Sequence, residues 1–167
     1  MTLNELSALP KADFTQTLGA IFEHSPWIAE RAWEARPFDS TDALHRAMVH
    51  VVQQADPERQ LALITAHPEL AGREAEAGTL TNASTTEQRG AGLDQCSPQE
   101  LVRLRSLNAA YRERFGFPFV IAVKGRSRHE IMDAIETRLK NDRDTEFADC
   151  LDQIGQIARF RLDTLIK

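Results

Sequence analysis

Apolar residues along this chain recur mainly every three to four positions, the spacing of an α-helix with one buried face. In the first such segment, from about Lys11 to Glu23, Phe14, Leu18, Ile21 and Phe22 fall on one side. The same spacing predicts further helices, which run from Ser25 to about Pro37, from Ser40 past Val52, from Asp56 to Pro68, from Ser97 to Phe115, from Ser127 to about Lys140 and from Asp144 to about Ile166.

Polar capping residues mark several of these helix starts. Ser97-Pro98-Gln99-Glu100 and Ser127-Arg128-His129-Glu130 match the capping box, in which a Ser hydroxyl and a Glu carboxylate accept hydrogen bonds from the first backbone N–H groups. Ser84-Thr85-Thr86-Glu87 matches the same pattern and predicts one more start. Ser25 before Pro26 predicts an N-cap followed by proline at the first helical position.

Two segments lack the helical pattern. Residues 73–84 are rich in Gly, Thr, Asn and Ala, which predicts a loop or a mobile segment. Residues 117–123 are β-prone and lie between Gly116 and Gly125, which predicts an extended piece. Since no second clear strand is available to pair with it, we predict an all-α fold of about seven to nine helices with one short extended segment near 117–123.

Composition and charge exclude several classes of protein. The 167 residues fit about one domain, and the formal net charge of −5 lacks the basic footprint of a nucleic-acid-binding protein. Cys96 and Cys150 form no CxxC pair, and no apolar run approaches the ~18 residues of a membrane span. The ends show no signal peptide and no Ser-Lys-Leu tail. We therefore expect one domain over residues 1–167, in the cytoplasm, with no nucleic-acid or membrane partner.

Arg161 is the first candidate for chemistry. It falls within an apolar stripe of the last predicted helix, with Cys150, Leu151, Ile154, Ala158 and Leu165. Because an unpaired buried charge costs several kcal/mol, the guanidinium needs an anionic partner. An internal Asp or Glu and a ligand carboxylate both satisfy that need, and the spacing leaves the two open.

His67 is the second candidate, because Pro68 cuts the predicted helix there and an imidazole at a helix end can project into a cleft. Histidine titrates nearest to neutral pH, as an acid/base requires. A histidine that only complements the helix dipole is the alternative. His45 and His50 are five residues apart and do not share a zinc-binding helix face, so the sequence shows no metal site.

Two further segments offer polar groups. Glu87 in a first helical turn presents its carboxylate either to a cleft or only to the capping box. If residues 117–123 are extended and unpaired, their backbone N–H and C=O groups need partners, which a polar ligand supplies. Simple core packing of this apolar segment is the alternative.

Taken together, these pieces resemble one family. The string LNAAYRERFGFPFVIAVKGRSR from Leu107 to Arg128, the string AHPELAG from Ala66 to Gly72, Ser84-x-x-Glu87-Gln88 with Ala91-Gly92-Leu93, and Ser25-Pro26-Trp27 resemble the 2-oxo-4-hydroxy-4-carboxy-5-ureidoimidazoline (OHCU) decarboxylases. The resemblance runs along nearly the whole chain. It implies an all-helical, cofactor-free carboxy-lyase, a homodimer, that converts OHCU into (S)-allantoin and CO2 during urate degradation.

The resemblance also implies roles for residues. It makes His67 the catalytic acid/base, with Glu87 and Arg161 as its polar companions. The residues that it places along the substrate are Pro68, Ser84, Thr85, Thr86, Glu87, Gln88, Phe119, Val120, Ile121, Ala122, Val123 and Arg161.

Two alternatives stay open. In a non-catalytic helical ligand-binding or adaptor module, Arg161 pairs internally and His67 is merely the end of a helix. In a related ring decarboxylase, the same residues act on a different ureido-imidazoline.

Overall fold

The computed structural model describes the backbone of residues 1–167 and every side chain except that of Glu74. Helices dominate, and the described residues contain no β-strand, which confirms the all-α prediction. There are ten α-helices where seven to nine were predicted: α1 (Leu3–Ala8), α2 (Lys11–Leu18), α3 (Trp27–Ala32), α4 (Thr41–Gln54), α5 (Pro57–Ala66), α6 (Arg73–Ala77), α7 (Asn82–Gly90), α8 (Pro98–Phe115), α9 (Arg128–Arg138) and α10 (Arg143–Leu165).

The chain divides into two compact units. The first comprises Met1–Ala66 and Ile154–Lys167, and the second comprises His67–Gln153, so that α10 supplies residues to both. The single domain over residues 1–167 stays a prediction. In the first unit, α3 packs against α2 and α4. Its core is formed by large apolar side chains that include Leu6, Phe14, Ile28, Leu44 and Met48.

In the second unit, α8 packs against α9. Tyr111 of α8 contacts the rings of Phe115, Phe117 and Phe119, with centroid distances of 4.6, 6.1 and 5.2 Å. These rings are buried, and they anchor the non-helical residues 117–123 to the core of this unit.

Two predictions about secondary structure are wrong. Helix α1 was missed, although Thr2 and Glu5 form a capping box at its start. Residues 73–84 were predicted as a loop, but α6 covers 73–77 and Gly78 follows it with φ +70°. The Glu and Ala residues of that stretch favour a helix, and the glycine that ends it suggested a loop throughout.

Two predicted caps are also wrong. The hydroxyl of Thr81, and not that of Ser84, accepts the hydrogen bond at the start of α7, at 3.2 Å from the Ser84 backbone nitrogen. Ser84 therefore lies in the first turn. Ser25 donates its hydroxyl to the Glu23 carbonyl, and α3 begins at Trp27 with Pro26 as its N-cap residue.

The capping boxes at Ser97 and Ser127 are both confirmed. At the first, Glu100 accepts hydrogen bonds from the Ser97 backbone at 2.9 Å and from Arg128 at 2.9 Å. These two interactions lower the pKa of Glu100 to about 2. A carboxyl group with a depressed folded-state pKa stabilises the fold above its unfolded pKa, and that contribution is lost as the pH falls through about 2.

We expect Glu100→Gln to lower the urea midpoint at pH 7, and we expect the deficit to shrink as the pH falls from about 4.5 toward about 2. Glutamine keeps the capping hydrogen bond, so the change isolates the charge. Glu130→Gln is the matched control, because Glu130 caps α9 in the same way and makes no ion pair with any described side chain. If the urea midpoint of Glu100→Gln were lowered equally at pH 7 and near pH 2, the loss of stability would not come from the charge of Glu100.

Across the described residues, none of the helices combines the length and the apolar character that crossing a lipid bilayer demands.

Candidate active site

His67 comes directly after Ala66, the last residue of α5, and the residue is only 7% exposed. Its predicted place at a helix end is confirmed. The residue opens a short non-helical stretch that leads through Pro68 to Gly72. A buried histidine at a helix end is compatible with an acid/base and with a histidine that only complements the helix dipole, so both interpretations stay open.

Two buried amide side chains hold one peptide bond of this stretch. The Asn108 side chain donates to the Leu70 carbonyl at 3.0 Å, and the Ala71 N–H donates to the Gln88 side chain at 2.9 Å. Both groups belong to the Leu70–Ala71 peptide unit, where Ala71 has φ +50°. Because alanine rarely adopts this left-handed conformation, the two hydrogen bonds hold a strained turn in place.

An ion pair adds a further link between this stretch and α8. Arg112 lies one turn after Asn108, and its guanidinium is 2.7 Å from the Glu69 carboxylate. The path of the chain after His67 is therefore held at three consecutive residues, Glu69, Leu70 and Ala71.

Sequence reasoning missed Asn108. A signal was present, since Asn108 shares the buried face of α8 with Leu104, Tyr111 and Phe115. A polar residue on such a face needs a hydrogen-bond partner. The partner, the Leu70 carbonyl, lies 38 residues earlier in the chain.

Helix α7 presents one buried polar face. Ser84 and Gln88 are buried one turn apart, and Glu87 beside them is half-buried. Thr85 is also half-buried, and its hydroxyl donates to the Thr81 carbonyl at 3.0 Å. Thr86 is exposed on the other side of the helix. Of the predicted residues of α7, Ser84, Glu87 and Gln88 therefore share a face.

Residues 119–123 are all buried and lie outside any helix. The Val120 carbonyl accepts a hydrogen bond from Arg138 at 2.8 Å, and the Ala122 N–H donates to Gln153 at 2.9 Å. Within the described part of the chain, no hydrogen bond involves the backbone of Ile121, which lies between them. On either side of Ile121, the backbone is therefore bound by a side chain, by Arg138 at Val120 and by Gln153 at Ala122.

Arg161 belongs to the first unit, where its side chain is 8% exposed. Its guanidinium lies 2.9 Å from the carboxylate of Glu23, which is 1% exposed, and it donates to the carbonyls of Ala20 and Ile21 at 3.3 Å each. The anionic partner that the apolar surroundings require is therefore internal. Of the stripe predicted around it, Cys150, Ile154 and Ala158 are buried, and Leu162 continues the stripe in place of Leu165.

Among the described side chains, no group of three or more His, Cys, Asp and Glu residues is arranged to hold a metal ion.

Comparisons with known sequences agree with the residue pattern. The family model for OHCU decarboxylase matches residues 7–163. The OHCU decarboxylase of Haloferax volcanii is 44% identical over 162 residues, 97% of this chain and 94% of that protein. The OHCU decarboxylase of Halalkalicoccus jeotgali is 39% identical over 165 residues, 99% of this chain and 92% of that protein. The bifunctional uric acid degradation protein PucL of Bacillus subtilis is 45% identical over 165 residues. The matched region covers 99% of this chain but only 33% of the length of PucL.

Solved structures agree as well. A crystal structure of (S)-allantoin synthase superimposes with a TM-score of 0.79 at 31% identity, over 99% of this chain and 54% of that one. A crystal structure of OHCU decarboxylase obtained in the presence of (S)-allantoin gives a TM-score of 0.68 at 21% identity, over 83% of this chain and 89% of that one, a likeness of fold. On the family match over residues 7–163 and the near-full-length relatives, this chain belongs to the OHCU decarboxylase family.

Proposed function

We propose that this chain is a carboxy-lyase that converts OHCU into (S)-allantoin and CO2 in urate degradation. The observation that carries the proposal is the 44% identity to the Haloferax decarboxylase over nearly the full length of both chains. The similarity to an (S)-allantoin synthase supports the same reaction and the S enantiomer as the product.

The chemistry needs an electron sink, and the substrate contains one. When the carbon–carbon bond to the carboxylate breaks, the electron pair moves toward the adjacent ring imine and CO2 leaves. The imine nitrogen takes up a proton from solvent, the hydroxyl group gives up its proton as it becomes a carbonyl, and the carbon that bears the ureido group gains a proton. Because the imine accepts the electron pair, the reaction requires no cofactor. The protein is left with three tasks: to hold the substrate, to move protons and to select one face.

His67 is proposed as the acid/base that moves these protons. Its burial and its place directly before the turn at Leu70–Ala71 support a fixed imidazole. An imidazole suits proton transfer near neutral pH, and a positioned acid/base contributes about 10²–10⁴-fold to the rate. A donor fixed on one face of the ring also explains a single enantiomer.

The remaining predicted residues are proposed to bind and orient the substrate. Glu87 either orients His67 or accepts hydrogen bonds from the ureido group, and Pro68, Ser84–Gln88 and the backbone of Phe119–Val123 line the substrate. Arg161 is proposed to pair with an anionic edge of the substrate. Strong binding of the departing carboxylate in the ground state would not raise the rate. If Arg161 binds this carboxylate, it therefore positions the substrate and does not itself accelerate the loss of CO2.

We further propose that the protein works as a homodimer in the cytoplasm. Both proposals follow from the family resemblance, and the acidic composition is compatible with a cytoplasmic enzyme.

One observation favours a second candidate, a non-catalytic helical ligand-binding or adaptor module. Arg161 has an internal partner in Glu23, as that interpretation requires. The same pair is also compatible with an arginine that Glu23 holds in position for an incoming anion.

The product tests the proposal. OHCU is generated from urate by urate oxidase and hydroxyisourate hydrolase, this protein is added, and circular dichroism follows the allantoin formed. We expect rapid accumulation of the S enantiomer, whereas the uncatalysed route gives a racemate. A slow, racemic product that matches the enzyme-free reaction would reject the decarboxylase assignment.

A further inference from the structure

A buried polar network in the second unit plays no part in the proposed reaction. At its centre is Glu146 of α10, whose side chain is 0% exposed. Its carboxylate accepts hydrogen bonds from the Tyr111 hydroxyl at 2.6 Å, from Arg138 at 2.7 Å and from the Asn141 side chain at 2.8 Å. Three donors with these short distances compensate a charge that would otherwise be costly to bury.

The network is a structural support and does not provide a nucleophile. Burial raises the pKa of the Tyr111 hydroxyl, so this group stays protonated and donates to Glu146. Burial also raises the pKa of the Cys150 thiol, although the Tyr111 hydroxyl, Arg138 and the Val120 backbone oppose that shift. A thiol with a raised pKa is a poor nucleophile. Any contribution of the network to function must therefore come from the backbone and side chains that it holds in position.

Arg138 connects the network to the segment 119–123. Its Nε donates to Glu146, its Nη1 donates to the Val120 carbonyl at 2.8 Å, and its guanidinium lies 4.4 Å from the centre of the Phe119 ring. A planar guanidinium makes these contacts at once, whereas a lysine ammonium acts as a single point charge. Glu146 thus holds the guanidinium of Arg138 in place, and this guanidinium in turn holds the backbone at Val120.

Side chains bind the segment at two alternate residues, Val120 and Ala122, and the Val123 carbonyl accepts a hydrogen bond from the Arg126 N–H at 3.0 Å. Ala122 is held at both backbone groups, because its N–H donates to Gln153 and its carbonyl accepts from Arg126 at 3.1 Å. In an extended chain the N–H and C=O of one residue point to one edge, and those of the next residue point to the other. Val120 and Ala122 therefore form a held edge. The backbone of Ile121, which no described residue engages, belongs to the opposite edge.

We propose that Arg138, Glu146 and Gln153 are positioning residues, which hold the Val120 and Ala122 edge so that the Ile121 edge meets polar groups of the substrate. The inference rests on the proposed function, because only a substrate with amide-like donors and acceptors uses that edge. The three side chains act through the backbone and touch no reacting atom.

Arg138→Lys and Gln153→Met test the inference through KM. Lysine keeps a cation beside Glu146 but cannot also reach Val120 in the same geometry, and methionine removes the acceptor for the Ala122 N–H. We expect KM to rise about 10-fold or more in both variants, because misplacing a binding group by about 1 Å costs up to 10²-fold. A loss of folded protein lowers the apparent kcat and leaves KM unchanged, so KM separates positioning from stability.

Arg103→Lys is the matched control, since Arg103 bridges Asp133 and Glu136 on the exposed surface of the same unit. We expect its KM to stay within about 2-fold of the parent value, as for other surface substitutions. Parent-like KM values in both Arg138→Lys and Gln153→Met would overturn the inference.

A second measurement separates the inference from the proposed function. Amide NMR of the full-length protein follows hydrogen exchange and a titration with (S)-allantoin. We expect faster exchange at Ala122 N–H in Gln153→Met, and larger shifts on titration at Ile121 and Val123 than at Val120 and Ala122. Parent protein that forms no excess of (S)-allantoin from OHCU would reject the proposed function. If the parent protein is active but the largest shifts on titration occur at Val120 and Ala122, the positioning inference would be overturned and the proposed function would stand.

Discussion

Replacing His67 with asparagine should lower kcat by about 10²–10⁴-fold, because asparagine keeps a polar side chain of similar reach but cannot exchange a proton near neutral pH. The variant should unfold close to the parent temperature, since Leu70 and Ala71 keep their hydrogen bonds to Asn108 and Gln88. Initial rates with freshly generated OHCU measure the loss. Circular dichroism should show that the remaining product is close to racemic.

His50→Asn provides the control, because His50 is an exposed histidine of α4 and has no part in the proposed chemistry. Its kcat should equal that of the parent protein. If His67→Asn kept its activity within about 10-fold, His67 would lose the acid/base role. Activity lost together with the folded state would point to a structural role for the imidazole instead.

The second large effect concerns stability. Glu23→Leu should lower the free energy of unfolding by about 3–5 kcal/mol, because it leaves the Arg161 guanidinium buried without its carboxylate. The two side chains are 1% and 8% exposed, so solvent screens the pair little. Urea unfolding at pH 7 measures the change as a shift in midpoint, with the slope serving as a check on two-state behaviour.

The double variant Glu23→Leu with Arg161→Met distinguishes the two candidate functions. Removing both charges should recover at least half of the lost stability, since apolar replacements of a buried pair are often tolerated. If Arg161 binds an anionic edge of the substrate, this folded variant should still turn over OHCU at least about 10²-fold more slowly than the parent, in line with the value of a charged contact. Parent-like turnover would assign Arg161 to the Glu23 pair alone and favour the internal-pair interpretation.

Much of the fold could be predicted from local signals. The capping boxes at Ser97 and Ser127 and the glycine after Phe115 define α8 and the start of α9, because a cap depends on residues within four positions of each other. The same locality explains the errors. Thr81 and Ser84 are three residues apart and both suit an N-cap, and only the folded backbone selects Thr81.

The candidate site divides in the same way. His67 before Pro68 and the apolar segment 117–123 are visible in the sequence as exceptions to a helical pattern. Their partners are not. Asn108 stands out as polar on a buried face, but nothing near it in the sequence indicates the Leu70 carbonyl, and Gln153 resembles any other glutamine of a helix.

By itself, the sequence determined the helical class, most helix boundaries and the need of Arg161 for an anionic partner, because each depends on the chemistry of neighbouring residues. Only the tertiary structure decided that this partner is Glu23, 138 residues away, and that Arg138 and Gln153 bind the backbone of Val120 and Ala122. The physical reason is that an unpaired buried polar group is costly. This cost requires a partner without specifying which one, and the packing of the helices within each unit makes the choice.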